Sequence, residues 1–467
     1  MAKLWEKTYA LDALVEAFTV GEDYRLDARL VNADCVASMA HARMLEGIGI
    51  LTPEEARAVV QGLAGIIDLN ARGEFTIRRS DEDVHTAIEN HLAATVGDAG
   101  KKIHTGRSRN DQVLAAMRLW SRGFLFAFHA AGASLVEQLL ELAARHQSTP
   151  MPGRTHLQTA MPSSVGLWAA AWAEELLDDL SLARHAFGLL DCSPLGSAAS
   201  YGVPLPLDRE KVANLLGFAR VQNNVLYAND SRGKLEAIAL EAVEHTALTL
   251  SRLAQDLVLF SLPEFGYFTL PAELCSGSSI MPQKRNPDGL ELIRAKAAAI
   301  SADVASVKGV LRGLPSGYNR DLQETKGPYL RGCEDGLGCV RIMELTVRRL
   351  TVNPEALRRG FTPEIFATDR ALELVSRGMP FRDAYREVGK SLDALAASDP
   401  VESLSRRTST GTPGNLRLDV PRAALAEHAA WLEAQRGQKA SRIQALAGKD
   451  VALFRDPLEG SLERDGA

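Results

Sequence analysis

The sequence lacks the usual motifs of nucleotide-dependent, zinc-dependent and serine-hydrolase enzymes. It contains no GxGxxG, no GxxxxGK[ST], no HExxH and no GxSxG segment. It has only five cysteines, none of them in a CxxC pair, and the spacing from Cys333 to Cys339 fits no usual zinc site. These absences disfavour the familiar nucleotide and metal enzymes, and an odd number of scattered thiols indicates a reducing cytosol.

Charge excess and long apolar runs are also missing. Lys and Arg number 53 against 59 Asp and Glu, and the net charge of -6 predicts no general attraction to nucleic acid or anionic membrane. No uninterrupted stretch of about 18 apolar residues occurs, so we expect nothing to span a membrane. The first ten residues, MAKLWEKTYA, have no apolar core of a secretion signal. We therefore predict a cytoplasmic protein.

What the sequence contains throughout is helical patterning. Ala and Leu dominate, which suits close helix packing. Helices that are apolar on every side must be surrounded by other helices. Long segments of this kind begin at Asp111, Gly166, Gly233 and Glu291. We predict an all-α protein with a central bundle of long helices over residues 111–360.

Shorter helices are predicted on both sides of this bundle. Thr52, Pro53 and Glu55 have the spacing of a capping box with proline at the first helical position. The 467 residues suffice for two or three domains. We divide them into an N-terminal helical domain (1–110), the central long-helix bundle (111–360) and a small C-terminal helical domain (361–467).

Four polar loops interrupt the apolar helices, and the first is KKIHTGRSRNDQ at 101–112. Ser108 and Asp111 have the spacing of a capping box for the long helix that follows. Capping requires neither Arg107 nor Arg109. These arginines beside a helix N-terminus favour a carboxylate-binding site.

The second loop is MPGRTHLQTAMP at 151–162. Pro152-Gly153 predicts a turn, and Pro162 predicts the start of the next helix. His156 then lies in a short connection between helices. The local sequence allows a structural hydrogen-bond partner or a catalyst at this position.

The third loop is SGSSIMPQKRNPDG at 276–289. Lys284 and Asn286 have side chains that bind carboxylates, which favours a mobile catalytic lid over a surface linker. Asn286 is alternatively the cap of the following helix. Glu291 either closes a capping box with Asp288 or points inward and pairs with a histidine.

The fourth loop is RGLPSGYNRDLQETKGP at 312–328. It places Tyr318, Arg320, Gln323 and Lys326 between two helices. Taken by itself, this composition is typical of a solvated connector.

Taken together, the loops resemble one family. GSSIMPQKRNP resembles the signature of the fumarase/aspartase superfamily, whose lyases release fumarate. HTGRSRNDQ, GRTHLQTAMP, PLGSAASYG and YNRDLQETK narrow the resemblance to the argininosuccinate lyase branch. The resemblance extends over almost the whole chain, from DEDVHTAIE at 81–89 to FATDRALELVSRGMPFRDAYREVGK at 366–390.

The resemblance implies cleavage of argininosuccinate to L-arginine and fumarate, the last step of arginine biosynthesis, without a metal or cofactor. It also implies a three-domain subunit in a homotetramer with a twenty-helix core. Each active site would draw loops from three subunits. The small-molecule substrate is then the expected partner.

Residue by residue, the resemblance assigns the catalytic role of base to Ser278. Lys284 and Asn286 would hold the carboxylate dianion that forms when the proton leaves. His156 would act on the acid side or orient the substrate, and Glu291 would raise its basicity. The other positions similar to substrate-binding residues are Ser108, Arg109, Asn110, Thr155, Tyr318, Gln323 and Lys326.

Three segments depart from the family pattern. LWEKTY at 4–9 replaces a WGGRF-like segment, and Gly21 in FTVGEDYR stands at the position of a serine contact. ANDSRGKLE at 228–236 also differs, although Arg232 keeps the expected arginine. The Gly21 departure concerns how the amino-acid end of the substrate is held. It motivates an alternative function, a related lyase that joins fumarate to another amine; another alternative is a non-catalytic protein similar to the delta crystallins.

Overall fold

The computed structural model describes residues 12–458. The predictions for MAKLWEKTYA and for LWEKTY at 4–9 lie outside this range. Helices dominate the described residues, as the all-α prediction requires. The short helices that precede the long ones are α1 (Ala13–Val20), α2 (Asp23–Leu26), α3 (Val31–Gly47), α4 (Pro53–Ala71), α5 (Val84–Val96) and α6 (Asp98–Lys102).

The start of α4 confirms the capping prediction. The Thr52 hydroxyl accepts a hydrogen bond from the Glu55 N–H at 3.2 Å, and the Glu55 carboxylate accepts one from the Thr52 N–H at 2.9 Å. Pro53 occupies the first helical position, where no backbone donor is needed.

The middle of the chain folds into long helices with two short ones between them. These helices are α7 (Arg109–Arg145), α8 (Val165–Leu190), α9 (Arg209–Leu215), α10 (Val225–Asp230), α11 (Lys234–Phe260), α12 (Asp288–Leu311) and α13 (Lys326–Arg349). Helix α11 packs against α8, α12 and α13, and α7 packs against α8 and α13. The predicted helical segments from Asp111, Gly166, Gly233 and Glu291 are confirmed within one or two residues of their starts, except that α12 begins three residues before Glu291.

Small residues let these helices approach closely. A Cβ atom on Gly336 of α13 would lie 2.1 Å from Val243 Cγ1 of α11, and one on Gly332 would lie 2.7 Å from Leu240 Cδ1. On α7, Trp120 and Phe124 stack with ring centroids 5.6 Å apart. The interior is therefore filled by alternating small and large side chains, as dense packing requires.

Among residues 12–458, α7 is the one helix long and apolar enough to cross a membrane by length and composition. In its most apolar window 56% of the residues are buried inside the structure. It also carries Arg118, which donates to the Cys192 carbonyl at 2.7 Å and to the Ser231 hydroxyl at 2.7 Å. These contacts are those of a core helix.

Short two-stranded ladders occur at the connections between helices. The strands are β1 (Pro150–Thr155), β2 (Gln158–Ser164), β3 (Cys192–Ser193), β4 (Arg220–Val221), β5 (Phe268–Thr269), β6 (Ser276–Gly277), β7 (Arg285–Asn286) and β8 (Thr351–Val352). Strands β1 and β2, β5 and β8, and β6 and β7 pair antiparallel, whereas β3 and β4 pair parallel.

The β1–β2 hairpin corrects two predictions from the second polar loop. Pro152-Gly153 lies inside β1, beside an irregularity in the register, and makes no chain reversal. Pro162 lies in β2, and α8 begins only at Val165, with the Ser164 hydroxyl as its cap. Proline has no N–H to donate, and it fits a two-stranded ladder because each strand has one edge without a hydrogen-bonded neighbour.

The last helices are α14 (Pro354–Arg359), α15 (Ala367–Ser376), α16 (Phe381–Gly389), α17 (Pro400–Ser405) and α18 (Asp419–Ala447). Helices α15 and α16 bury a small apolar cluster of their own, centred on Ala371, Ala384 and Val388. Helix α18 instead returns to the bundle and packs on α3, α7, α8 and α9. The division at 110 and 360 stays a prediction.

Candidate active site

A cleft of about 150 Å³ lies where the start of α7 meets the segment before α13. It brings together six polar-loop residues that the sequence singled out: Arg109, Asn110, Tyr318, Arg320, Gln323 and Lys326. Arg232 also lines the cleft, with its guanidinium 5.5 Å from the centre of the Tyr318 ring. Two of the four polar loops therefore contribute to one site within a single chain.

Acidic residues that sequence analysis did not assign complete this cleft. Asp23, Asp27, Glu82 and Asp83 line it together with His85. Glu82, Asp83 and His85 belong to the segment DEDVHTAIE, which contributes to the family resemblance, but the resemblance assigns none of them a role in the site. Asp23 and Asp27 lie near the start of the chain, and nothing in their local sequence indicates that they meet a lysine about three hundred positions away.

Lys326 is the centre of a buried charge network. Its ammonium lies 2.5 Å from Asp27 Oδ1 and 2.7 Å from Asp23 Oδ1. Burial opposes the charge on Lys326, but the two carboxylates raise its pKa above the usual value. Burial raises the pKa of Asp27 against the effect of Lys326. Asp27 Oδ2 also accepts from the Val84 N–H at 3.0 Å, which joins this pair to the start of α5.

The first polar loop forms the predicted capping box at the start of α7. The Ser108 N–H donates to Asp111 Oδ1 at 2.9 Å, and the Ser108 hydroxyl caps the helix. Asp111 Oδ2 accepts from the N–H groups of Gly196 and Ala198, each at 2.9 Å. One buried carboxylate thus holds the PLGSAASYG segment against the HTGRSRNDQ segment.

The two arginines of this loop are occupied by groups of the protein itself. Arg107 is buried and donates to the Ser38 hydroxyl at 2.8 Å. Arg109 Nη1 lies 3.0 Å from Glu82 Oε2 and 3.2 Å from Asp83 Oδ2. The carboxylates that Arg109 contacts therefore come from the loop before α5, and Asn110 is left facing the cleft.

His156 occupies the tip of the β1–β2 hairpin. Thr155 pairs with Gln158, so His156 and Leu157 alone form the turn, and their φ angles are 54° and 62°. Two-residue hairpin turns of this type need positive φ at both positions and usually contain Gly, Asn or Asp. Each left-handed residue of another type costs about 1–2 kcal/mol. The hairpin bears this cost and exposes His156 and Thr155.

The Ser278 loop is the tip of a second, shorter hairpin. Strands β6 and β7 hold its base, where Asn286 Nδ2 donates to the Ser276 hydroxyl and to the Gly277 carbonyl, each at 3.4 Å. The Ser278 hydroxyl accepts from the N–H groups of Met281 at 3.1 Å and Ile280 at 3.4 Å. Ile280 is 82% exposed, so the tip of the loop has no packing partner within residues 12–458.

The start of α12 corrects the two capping interpretations. Helix α12 begins at Asp288, its N-cap is Pro287, and no side chain caps it. Asn286 faces the β6–β7 ladder, and Glu291 closes no capping box with Asp288. Glu291 and Lys284 are exposed, and within the described part of the chain neither side chain makes a hydrogen bond or ion pair.

Comparison with known proteins identifies the family. A family model described as Lyase matches residues 6–301. The argininosuccinate lyase of Sorangium cellulosum (strain So ce56) is 48% identical over 427 residues, which cover 91% of this chain and 99% of the relative. That of Thermotoga neapolitana is 44% identical over 388 residues, covering 83% and 98%. The chain belongs to the argininosuccinate lyase family.

Solved structures place this argininosuccinate lyase family member in the expected fold. An EDDS lyase in complex with formate aligns with a TM-score of 0.79 at 26% identity, covering 96% of each chain. A class II fumarase from Schistosoma mansoni aligns with a TM-score of 0.68 at 18% identity, over 85% of this chain and 96% of that one. The second likeness shows the fold alone.

Within one chain, the argininosuccinate lyase motifs fall into separate groups. The cleft includes Arg109, Asn110, Tyr318, Gln323 and Lys326. Outside it lie the other predicted residues: Ser108, Thr155, His156, Ser278, Lys284, Asn286 and Glu291. The residue at the altered position, Gly21, ends α1 with a φ of 51° and presents no side chain.

A pH dependence of stability follows from His85, which lies against the cleft. Burial opposes its charge, but the Asp34 carboxylate 3.1 Å away raises the pKa of His85 to about 9. The pKa of His85 is higher in the folded than in the unfolded state, so its protonated form stabilises the fold. This contribution is complete below about pH 6.5 and is lost as the pH rises through about 9. We expect this group to lower the free energy of unfolding by roughly 3 kcal/mol between pH 6 and pH 9.5.

Urea unfolding across this pH range tests the expectation. The double variant His85→Gln/Asp34→Asn should lose this part of the pH dependence without leaving an unpaired buried charge. His91→Gln, on the same helix α5, is the matched control and should retain it. Parallel pH profiles for the wild type and the double variant would contradict the assignment.

Proposed function

We propose that the chain cleaves argininosuccinate to L-arginine and fumarate by anti β-elimination, the last step of L-arginine biosynthesis. The observation that carries the proposal is the polar cleft around Lys326, formed by motifs of a family in which a relative covering 91% of the chain is 48% identical. The substrate carries carboxylates, an ammonium and a guanidinium. The cleft offers both signs of charge and the amides of Asn110 and Gln323.

The chemistry requires a base for a weakly acidic C–H and donors for the carboxylate dianion that follows. In the proposal Ser278 removes the proton. A serine alkoxide needs stabilisation, and the N–H groups of Ile280 and Met281 already face the Ser278 oxygen. Lys284 and Asn286 hold the developing charge once the loop closes over the substrate and excludes water.

The leaving guanidinium needs a proton donor or an orienting group on the other side. His156 takes that role in the proposal, at the tip of its strained hairpin. Glu291 raises the basicity of His156 when a neighbouring subunit brings them together. Thr155, Ser108, Arg109 and the cleft residues position the rest of the substrate.

Assembly is part of the same proposal. The Ser278 loop and the His156 hairpin do not line the Lys326 cleft of their own chain. We propose a homotetramer with a twenty-helix core, in which each active site combines these three groups from three subunits. The subunit is divided at residues 110 and 360, no cofactor takes part, and the enzyme works in the cytoplasm. Light scattering coupled to size exclusion tests the tetramer, and a monomer with full activity would refute the shared site.

The activity is tested directly with the purified chain. Argininosuccinate is added at pH values near neutrality, and fumarate is followed by its ultraviolet absorbance. Stoichiometric release of fumarate and arginine supports the proposal. Absence of fumarate at every pH would refute it and favour a non-catalytic protein, although the intact Ser278, His156 and Lys284 argue for catalysis.

A second candidate is a lyase that joins fumarate to another amine. Two observations favour testing it: the likeness to EDDS lyase and the missing side chain at Gly21. The reverse reaction with fumarate and a panel of amines separates the two functions. A clear preference for arginine supports the first, and a preference for a diamine supports the second.

Asp23 gives a prediction about how the amino-acid end of the substrate is held. Its carboxylate lies in the cleft two residues after Gly21, and Asp27 alone already balances the charge of Lys326. An ammonium group of the substrate is a suitable partner for the second carboxylate. We expect Asp23→Ser to raise KM for argininosuccinate about tenfold with a smaller change in kcat.

The neighbouring Glu22 provides the control for this prediction. Glu22 pairs with Arg25 at 2.6 Å on the surface, so Glu22→Ser should leave KM unchanged. The reverse reaction adds a second measurement: Asp23→Ser should weaken L-arginine but not an analogue with a hydroxyl in place of the α-amino group. Equal effects on L-arginine and on the hydroxyl analogue would rule out a contact between Asp23 and the ammonium group.

A further inference from the structure

A second concave site lies away from the Lys326 cleft and shares no residue with it. It is a groove between α8 and α18, closed at one end by the turn after α9, with a volume of about 940 Å³. We name it the α8–α18 groove. Its positively charged lining residues are Arg184, Lys439 and Arg442, and its one negatively charged lining residue is Asp191. The groove is therefore strongly cationic although the whole chain has a net charge of -6.

The floor of the groove is a buried ion pair. Lys439 Nζ lies 2.6 Å from Asp191 Oδ2, and each side chain is only 5% exposed. Lys439 also lies 6.0 Å from the centre of the Phe187 ring. The other oxygen, Asp191 Oδ1, is buried and has no hydrogen-bond partner within residues 12–458. This free oxygen is an acceptor, so only Lys439 on the floor can bind an anion.

A second buried cation, Arg122, interacts electrostatically with Asp191. Arg122 is 3% exposed, donates to the Leu216 carbonyl at 2.8 Å and lies 5.2 Å from the centre of the Phe218 ring, which forms the groove wall. Its Nε and Nη2 atoms have no partner among the described residues. Burial lowers the pKa of Arg122 to about 10, with Asp191 as the opposing charge, so it stays charged at neutral pH.

The buried charges beside the groove are not balanced. Two buried cations, Arg122 and Lys439, share the single carboxylate of Asp191. A buried charge without a counter-charge costs several kcal/mol, so a bound anion would be favoured. The rim adds Arg184, stacked on Trp431 at 5.3 Å, and Arg442. Within the described range neither of these two arginines has a carboxylate partner.

We propose that the α8–α18 groove binds a small, multiply charged phosphate anion. Lys439 meets the anion at the floor, and the guanidinium groups of Arg184 and Arg442 enclose it from the rim, as arginine forks do with phosphate oxygens. The walls of Phe218 and Trp431 accommodate an organic part of a phosphate ester. A volume of about 940 Å³ is that of a small-molecule site.

Calorimetric titration with pyrophosphate at constant ionic strength tests the proposal on the full-length protein. Wild type should bind one pyrophosphate per chain. Arg184→Gln and Arg442→Gln should each weaken binding at least about tenfold, the loss expected for one charge-assisted contact. Both side chains are exposed, so these variants should fold and keep the wild-type rate of fumarate release.

The matched control is Arg436→Gln. Arg436 lies on the same helix α18 but faces the separate groove against α7, so its removal changes the net charge equally without touching the site. Binding should be unchanged in this variant. Absence of pyrophosphate binding by the wild type, or an equal loss in Arg436→Gln, would overturn the proposal. Citrate bound as tightly as pyrophosphate would overturn the preference for phosphate.

Discussion

Replacement of Ser278 by alanine is expected to lower turnover of argininosuccinate by on the order of 10³-fold, because proton removal then has no positioned base. Stability should change little. Ser278 is only partly buried, and its hydroxyl makes no contact with the core. Steady-state fumarate release measures the first effect, and thermal unfolding measures the second.

Ser279→Ala is the control for this variant. Ser279 is the adjacent serine of the same exposed loop, and the proposed mechanism gives it no proton transfer. Its loss should lower the rate only a few-fold. If Ser278→Ala retained most of the wild-type rate, another group would have to be the base. If both variants lost activity equally, loop conformation would explain the result better than proton transfer.

Replacement of Lys326 by methionine is expected to cost about 3–5 kcal/mol of stability and to abolish activity. The substitution keeps the length of the side chain but removes the ammonium that both Asp23 and Asp27 contact. Burial already raises the pKa of Asp27, so the variant should take up a proton there and become less stable as the pH rises. Urea unfolding at pH 5.5 and pH 8 measures both effects.

Two further variants separate the charge from the chemistry. Lys326→Met/Asp27→Asn removes one unpaired carboxylate and should recover a large part of the stability. It should recover no activity, because the ammonium group of Lys326 is still missing from the site. Lys296→Met breaks a partly exposed pair with Asp335 and should cost no more than about 1 kcal/mol. Equal losses of stability in Lys326→Met and Lys296→Met would show that burial of the Lys326 network does not increase its contribution to stability.

The helices could be predicted from sequence because their signals are local. Thr52 with Glu55 and Ser108 with Asp111 form the expected capping boxes, and the long apolar segments become the central bundle. The hairpin around His156 could not be predicted in the same way. Its turn residues are His and Leu in left-handed conformations, which carry none of the Gly or Asn signals of such turns, and Pro152-Gly153 suggested a turn in the wrong place.

The candidate site was predictable only in part, for a related reason. The residues of the polar loops stood out because their types are unusual between apolar helices, and six of them line the cleft. Asp23 and Asp27 sit instead on short helices, where acidic residues are common. Their importance depends on contact with Lys326, which the fold supplies and no spacing in the chain reveals.

The carboxylate of Asp111 has a consequence for how the loops open. It accepts backbone hydrogen bonds from Ser108, Gly196 and Ala198, so the start of α7 and the segment 194–202 are held by the same carboxylate. Ala198 has a φ of 53°, a conformation that this segment would leave once released. Exposure of one amide to solvent should therefore accompany exposure of the other two, and hydrogen exchange would report a single cooperative unit in place of two independent loops.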